Sequence, residues 1–467
     1  MMSQTLISPK IDKNSQITAK EIYIIPIENT AYLIYLPLQR LAFLTDPQTA
    51  QRLETVKTGE TNIADLAISQ TIPALLKLND KHPLENTKTG HPLPTALTLF
   101  LTTACQLRCS YCYASAGDTA TEMMPLATAK RGIDYIINNI EKKNFIATNC
   151  QQPPLSRFYL AYHGGGEPTI NWQVLQDSYT YAKQQTDLKA LTLYATLASN
   201  GVLKDAQIDW IAQHINHIGI SFGGLPNLHD KHRFMANGTG SSDRVMHTLA
   251  RFDTLQVNYT LRLTLTADQL PYLPDTIQFI CERYHPTKIQ LELIHNTGRG
   301  ANQNIIVASS FLTAYQQAQA VARRYGHTLH YATADLQKLT THYCGISQDT
   351  FALSPQGNVS ACYASFSEKE SLAPVFFYGK PETTGKGYLF DLNKLNQLRQ
   401  QSVIHKPDCQ NCYAKWHCAG DCYHEALTTH STVASPSRCQ ITRALVKEQL
   451  IENINLNADK YWQATEM

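Results

Sequence analysis

Ten of the twelve cysteines in this 467-residue chain fall in two stretches, three within Cys105–Cys112 and seven within Cys344–Cys439. Only Cys150 and Cys281 stand outside them. Thiols a few residues apart read first as a ligand set, and that reading limits the fold more than any composition figure. The N-terminus, MMSQTLISPKIDKNSQ, is polar and lacks the apolar stretch of a signal peptide. The longest apolar run, Ala31 to Leu44, holds Gln39 and Arg40 and is too short to span a bilayer. A cytoplasmic protein with no membrane partner is therefore expected. In that reducing setting, clustered thiols bind metal in preference to forming disulfides. With 40 basic against 38 acidic residues the formal charge is +2, which gives no reason to expect nucleic acid.

The first set is Cys105-x3-Cys109-x2-Cys112, placed directly after the strand-like run LTLFLTT. Three thiolates hold three irons of a [4Fe–4S] cube and leave the fourth iron open to a small molecule's amino and carboxylate groups. The competing reading is a zinc site with His163 or another residue as fourth ligand. Zinc knuckles normally use paired C-x2-C units, and the third cysteine here stands alone at x3.

From about 95 to 335, strand-length apolar runs alternate with helical patterns. LTLFLTT, FYLAYH, LTLYATLAS, HIGISF, YTLRLTLT and KIQLELI are the strand candidates. Leu126–Lys142, Trp172–Gln185, Asp205–His214, Asp243–Leu255 and Leu273–Tyr284 are the helix candidates. Six βα units predict an α/β fold with a parallel sheet, closed or partly closed, and functional residues at the strand C-termini. Before it, residues 1–92 carry two or three short strands and a helix from Pro47, a small α+β unit ending in the connector His82–Pro94. After it, residues 336–445 are loop-rich and need cross-links to hold together. Residues 446–467 complete a terminal helix with a polar tail.

These features resemble the radical S-adenosylmethionine (SAM) superfamily, whose C-x3-C-x2-C loop follows the first strand of a partial (β/α)6 barrel. The resemblance continues after the second strand in His163-Gly164-Gly165-Gly166-Glu167-Pro168, which looks like the family's GGEP segment. It implies that Gly165 and Gly166 present main-chain atoms to the SAM amino group and that Glu167 supplies a carboxylate. An esterase oxyanion hole is the other reading of HGGG, but no G-x-S-x-G elbow accompanies it. Asn200, in Ser199-Asn200-Gly201, and Ser221, in Ser221-Phe222-Gly223-Gly224, match positions where relatives contact the ribose or carboxylate of SAM. Strand-end turn chemistry accounts for these two residues equally well. Relatives often have Asp where Gly223 stands, so no role transfers to that carboxylate. The implied reaction is reductive cleavage of SAM to a 5′-deoxyadenosyl radical, which takes hydrogen from an unactivated C–H bond.

The second set comprises Cys344, Gly357-x4-Cys362, Cys409-x2-Cys412-x5-Cys418-x3-Cys422 and Cys439. It resembles the SPASM domain, a seven-cysteine auxiliary-cluster extension. By that resemblance Cys409, Cys412, Cys418 and Cys439 hold the distal cluster, and Cys344, Cys362 and Cys422 the proximal one, for three [4Fe–4S] clusters in all. Some relatives have an eighth cysteine before the first; here that stretch, Lys338 to Tyr343, has none. The proximal cluster is then open at one iron or completed by another group. Two zinc sites are the alternative for this region. Cys281 and Cys150 read as structural.

Enzymes with this pair of domains commonly modify ribosomal peptides or proteins, with an electron donor such as flavodoxin or ferredoxin. The order of elements in residues 1–92 resembles a leader-peptide recognition fold, which binds an extended leader at a sheet edge; a cap packed on the barrel is the other reading. Three functions follow: a maturase installing a crosslink or related change on a ribosomal precursor peptide, a sulfatase-type formylglycine maturase, or a zinc-binding interaction protein without catalysis.

Overall fold

Apolar strand runs followed by amphipathic helices build the centre of the molecule. The computed structural model describes residues 5–6, 21–27, 31–57, 88–429, 435–457 and 461–463. Strands β5 (Ala96–Phe100), β6 (Arg157–His163), β7 (Thr192–Ser199), β8 (His217–Ser221), β9 (Tyr259–Leu265) and β10 (Lys288–Leu293) lie side by side, each parallel to the next. All six expected strands are present. β5 is buried along Leu97–Phe100, as a strand covered on both faces must be, whereas β7 alternates strictly. The helix Leu126–Asn149 presents Ala129, Ile133, Ile136, Ile137 and Ile140 to the sheet, a stripe at helical spacing. Helices at Trp172–Leu188, Asp205–His214, Ser242–Thr254 and Leu273–Arg283 match the remaining candidates to within a few residues.

The sheet is open and extends at both ends. β11 (Leu329–Tyr331) adds parallel to β10. At the other edge β12 (Ala352–Leu353) pairs parallel with β5, and β13 (Val359–Ser360), β14 (Phe377–Pro381) and β15 (Tyr388–Phe390) continue antiparallel. The cysteine-rich region thus begins as a continuation of the barrel sheet, which two-residue strands could not announce by periodicity.

A second sheet has the order β1 (Thr5–Leu6), β2 (Tyr23–Pro26), β3 (Tyr32–Leu36), β4 (Leu41–Thr45), β16 (Tyr461–Gln463). The helix Pro47–Lys57 follows β4 as expected. The tail expected to be polar and irregular instead supplies β16, antiparallel to β4, because Trp462 has a buried slot against Tyr35. The preceding helix, Pro436–Leu456, runs unbroken across residues 445 and 446. The reading of the N-terminal part as a barrel cap is corrected in one respect: its sheet packs on the cysteine-rich region. The Tyr35 hydroxyl meets His417 Nε2 at 2.5 Å, Tyr23 stacks edge-on against Tyr413, and Glu21 pairs with Lys415 and Trp416. The later helix-like stretches of residues 58–81 and the connector's first half, residues 82–87, lie outside the described residues. No helix among the described residues is long and apolar enough to cross a membrane.

Candidate active site at the strand C-termini

The loop after β5 carries Cys105, Cys109 and Cys112, and backbone hydrogen bonds hold it on three sides. Ala104 O accepts from Glu167 N at 2.8 Å, Arg108 N donates to Phe234 O and Ser110 N to His232 O, and Arg299 N and Nε donate to Cys112 O and Cys109 O. Two glycines make this approach feasible. A Cβ on Gly166 would lie 2.2 Å from Ala104 O, and one on Gly298, at φ +53°, 2.4 Å from Tyr113 O.

A cavity of about 240 Å³ opens beside this loop. Its walls include all three thiols, Gly164, Gly165, Gly166, Glu167, Asn200 and Ser221, so every SAM-contact candidate read from the sequence faces one space. Glu167 is buried at the end of β6. Its Oε1 accepts from Thr169 N and Oγ1 and from Ser199 Oγ, and its Oε2 from Asn200 N at 2.7 Å. Burial raises the carboxyl's pKa while these donors pull it back. A carboxylate offers about four acceptor positions, and Oε2, with one donor, keeps capacity for a ligand ammonium. Asn200 directs its amide toward Cys105 Sγ at 3.6 Å.

Glu167→Gln tests this network, since an amide nitrogen would face at least one of the four donors. Stability is expected to fall by ~1–3 kcal/mol and SAM affinity to weaken with it; thermal unfolding and a SAM titration measure the two. Unchanged values for both would show that the network carries neither role.

The structure also brings to this cavity residues to which the sequence assigned no role: Tyr113, Arg233, Arg262, His295 and Tyr343. Arg233 ends the segment His229-Asp230-Lys231-His232-Arg233, whose other members are structural. His229, where relatives' Asp would lie nearby, accepts from Gly223 N at 3.0 Å, and Asp230 accepts from Ser241 N and Ser242 N at the start of the helix Ser242–Thr254. The buried Arg233 guanidinium takes Tyr111 Oη as its acceptor and leaves Nε without a partner. His295 Nδ1 lies 2.8 Å from Glu425 Oε2 of the cysteine-rich region. Glu292, in KIQLELI, reaches the cavity and accepts from Gln290 Nε2.

Several thiols feel one another's charge. Burial raises Cys105 to about 12, and its further charge neighbours include Glu167, Cys109 and Cys112. Cys362 is raised first by burial, then by Cys422 and Cys344. Cys418 is raised first by burial, then by Asp421, Cys439, Cys412 and Cys409. The buried Asp421–Arg438 pair, 2.7 Å from Oδ2 to Nε, lies between the last two sets. Among the described residues no three His, Cys, Asp or Glu side chains converge as they would on a single metal ion. Cys150 is exposed at a helix end and Cys281 half-buried on the helix Leu273–Arg283. Thiols this buried stay protonated unless a metal offsets the charge, and the guanidiniums of Arg233 and Arg299 lower Cys109 in the direction a thiolate ligand needs. Donor type, grouping and neighbouring charge all fit iron–sulfur clusters.

Residues 99–278 match the model of the radical SAM superfamily. Over those residues the chain carries a radical SAM domain, of a class that holds a [4Fe–4S] cluster and uses SAM. Among its relatives is the radical SAM cyclopropyl synthase TigE of Paramaledivibacter caminithermalis, 21% identical over 402 residues, 80% of this chain and 77% of that one. A cysteine-type anaerobic sulfatase-maturating enzyme of Clostridium novyi is 21% identical over 34% of this chain and 40% of its own length. Among solved structures, native anSMEcpe with bound AdoMet and Cp18Cys peptide superposes with a TM-score of 0.61 at 16% identity, covering 77% of this chain and 98% of that one. Streptococcus suis SuiB bound to S-adenosylmethionine gives 0.51 at 14% identity, covering 91% and 99%. These likenesses show the fold: a partial barrel with a C-terminal extension. A zinc-binding protein without catalysis does not account for the family match.

Proposed function

We propose that this enzyme modifies a ribosomally made peptide, installing a crosslink or related change. In this reading Cys105, Cys109 and Cys112 hold the SAM-binding cluster. Cys344, Cys362 and Cys422 hold a proximal auxiliary cluster, and Cys409, Cys412, Cys418 and Cys439 a distal one. The observation that carries the reading is one cavity on which Cys105, Cys109 and Cys112 face Gly165, Gly166, Glu167, Asn200 and Ser221.

When bound, the first cluster supplies the electron that converts SAM to methionine and a 5′-deoxyadenosyl radical. The chain's own residues do the rest. Glu167 Oε2 and the glycine backbone take the SAM amino group, and Asn200 orients toward Cys105. The buried walls exclude water from the radical. A second cavity of about 510 Å³ shares Tyr113 and Ala114 with the first and is lined on its far side by Phe366, Lys369 and Glu370. It gives a peptide a route to the reacting centre.

A peptide substrate is supported by the printed partners of the neighbours, the Cp18Cys peptide of anSMEcpe and the precursor peptide SuiA of SuiB. TigE, named as a cyclopropyl synthase, aligns over 80% of this chain and the sulfatase-maturating relative over 34%, which weighs against the formylglycine reading. A leader bound by strand addition at the N-terminal sheet would pair with the outer edge of β1 or β16, the end strands among the described residues. Electrons would come from a flavodoxin or ferredoxin.

Anaerobic purification tests the reading. A brown protein with about twelve irons and matching sulfide is expected, and SAM with a strong reductant should yield 5′-deoxyadenosine. Colourless protein with stoichiometric zinc would end it.

A further inference from the structure

One side chain of the reaction cavity, Arg262, makes no hydrogen bond or ion pair among the described residues. Arg262 lies on β9 in register with Ser221 of β8, and its side chain passes Gly219, with Cδ 3.9 Å from where a Cβ would stand. The guanidinium enters the cavity exposed. Among the described residues no carboxylate pairs with it and no acceptor takes its hydrogens. The cavity's other charged groups each have at least one hydrogen-bond partner. Arg233 donates to Tyr111, Glu167 holds four donors, Glu292 accepts from Gln290, and His295 is bound to Glu425.

His163 lines the same cavity, and its ring fixes a second donor. Gly164 N donates to Nδ1 at 2.8 Å, so the ring hydrogen sits on Nε2. Burial, then the charge of Arg262, lowers its pKa to about 3, so the ring stays neutral and keeps that hydrogen. Nε2 has no acceptor among the described residues. A guanidinium fork and a neutral N–H donor that face one cavity suit the two oxygens of a carboxylate.

Two carboxylates could arrive there, that of SAM and that of a substrate side chain. The methionyl end of SAM must reach the thiol loop, and the arginines that act on Cys109 are Arg233 and Arg299. Arg262 acts instead on His163 and Tyr113, and Tyr113 is a wall shared with the second cavity. We propose that Arg262 and His163 form a carboxylate-binding subsite that takes an acidic side chain of the substrate peptide. The inference rests on the peptide-maturase reading and narrows its substrate to peptides with Asp or Glu close to the modified position.

The test uses the full chain, iron-loaded and SAM-bound, titrated calorimetrically with N-acetyl-aspartate N-methylamide and with its asparagine counterpart. The aspartate probe is expected to bind at least about tenfold more tightly. Arg262→Gln should erase that preference, Arg262→Lys should keep part of it, and His163→Gln should weaken it. SAM affinity should stay within about twofold in Arg262→Gln. Equal binding of the two probes by the unaltered protein, or no binding of either, overturns the subsite whether or not the variants fold. A tenfold loss of SAM affinity in Arg262→Gln with the probe preference intact would assign the site to SAM and overturn it equally. Formation of 5′-deoxyadenosine by the same samples separates failure of the subsite from failure of the enzyme reading.

Discussion

Replacing Cys105, Cys109 and Cys112 together by alanine is expected to abolish 5′-deoxyadenosine formation while leaving roughly eight of about twelve irons in the protein. The effect is large because, in the proposed function, the three thiols are the complete protein ligand set of the SAM-binding cluster, and among the described residues no fourth cysteine faces their cavity. Iron is expected to survive because the proposed function assigns the other seven thiols to two separate auxiliary clusters. Anaerobic reconstitution, iron and sulfide analysis, and chromatography of the nucleoside product read the three quantities. Product at the level of the unaltered enzyme would move the catalytic cluster elsewhere. Loss of all the iron would mean that the sets do not load independently.

Arg438→Met is expected to destabilise the protein by ~3–5 kcal/mol, the cost of leaving a buried charge without its partner. Asp421 and Arg438 are each nearly inaccessible, and their contacts at 2.7 and 3.2 Å are side by side. Asp421 follows Cys418 by three residues and precedes Cys422 by one, at a positive φ of 57°, while Arg438 precedes Cys439. The pair therefore joins the two halves of the cysteine-rich region, and its loss should lower auxiliary iron as well as thermal stability. Changing both partners together to apolar residues removes the stranded charge and should restore much of the stability. A single variant as stable as the unaltered chain, with full iron, would show that the pair holds nothing together.

Much of this was legible in the chain because it depends on local spacing. All six barrel strands and the helices between them appear where apolar periodicity placed them, since each strand and each helix stripe is buried against its immediate neighbours. The HGGGEP segment was readable for the same reason: a glycine at 166 and a carboxylate at 167 serve contacts made by the end of one strand. The short strands β12 to β15 were not legible, because two to five residues carry no period. Nor was β16, whose place depends on a partner some four hundred residues earlier in the chain.

The sequence by itself determined which chemistry the protein is equipped for, because thiol spacing and strand-end motifs are local and a few residues fix them. Only the tertiary structure decided which residues meet across the barrel mouth. Tyr113, Arg233, Arg262, His295 and Tyr343 come from separate loops and strands, and no pattern along the chain marks them as neighbours. Folding also left Arg262 without an ion-pair partner among the described residues, which no local pattern in the chain foretells.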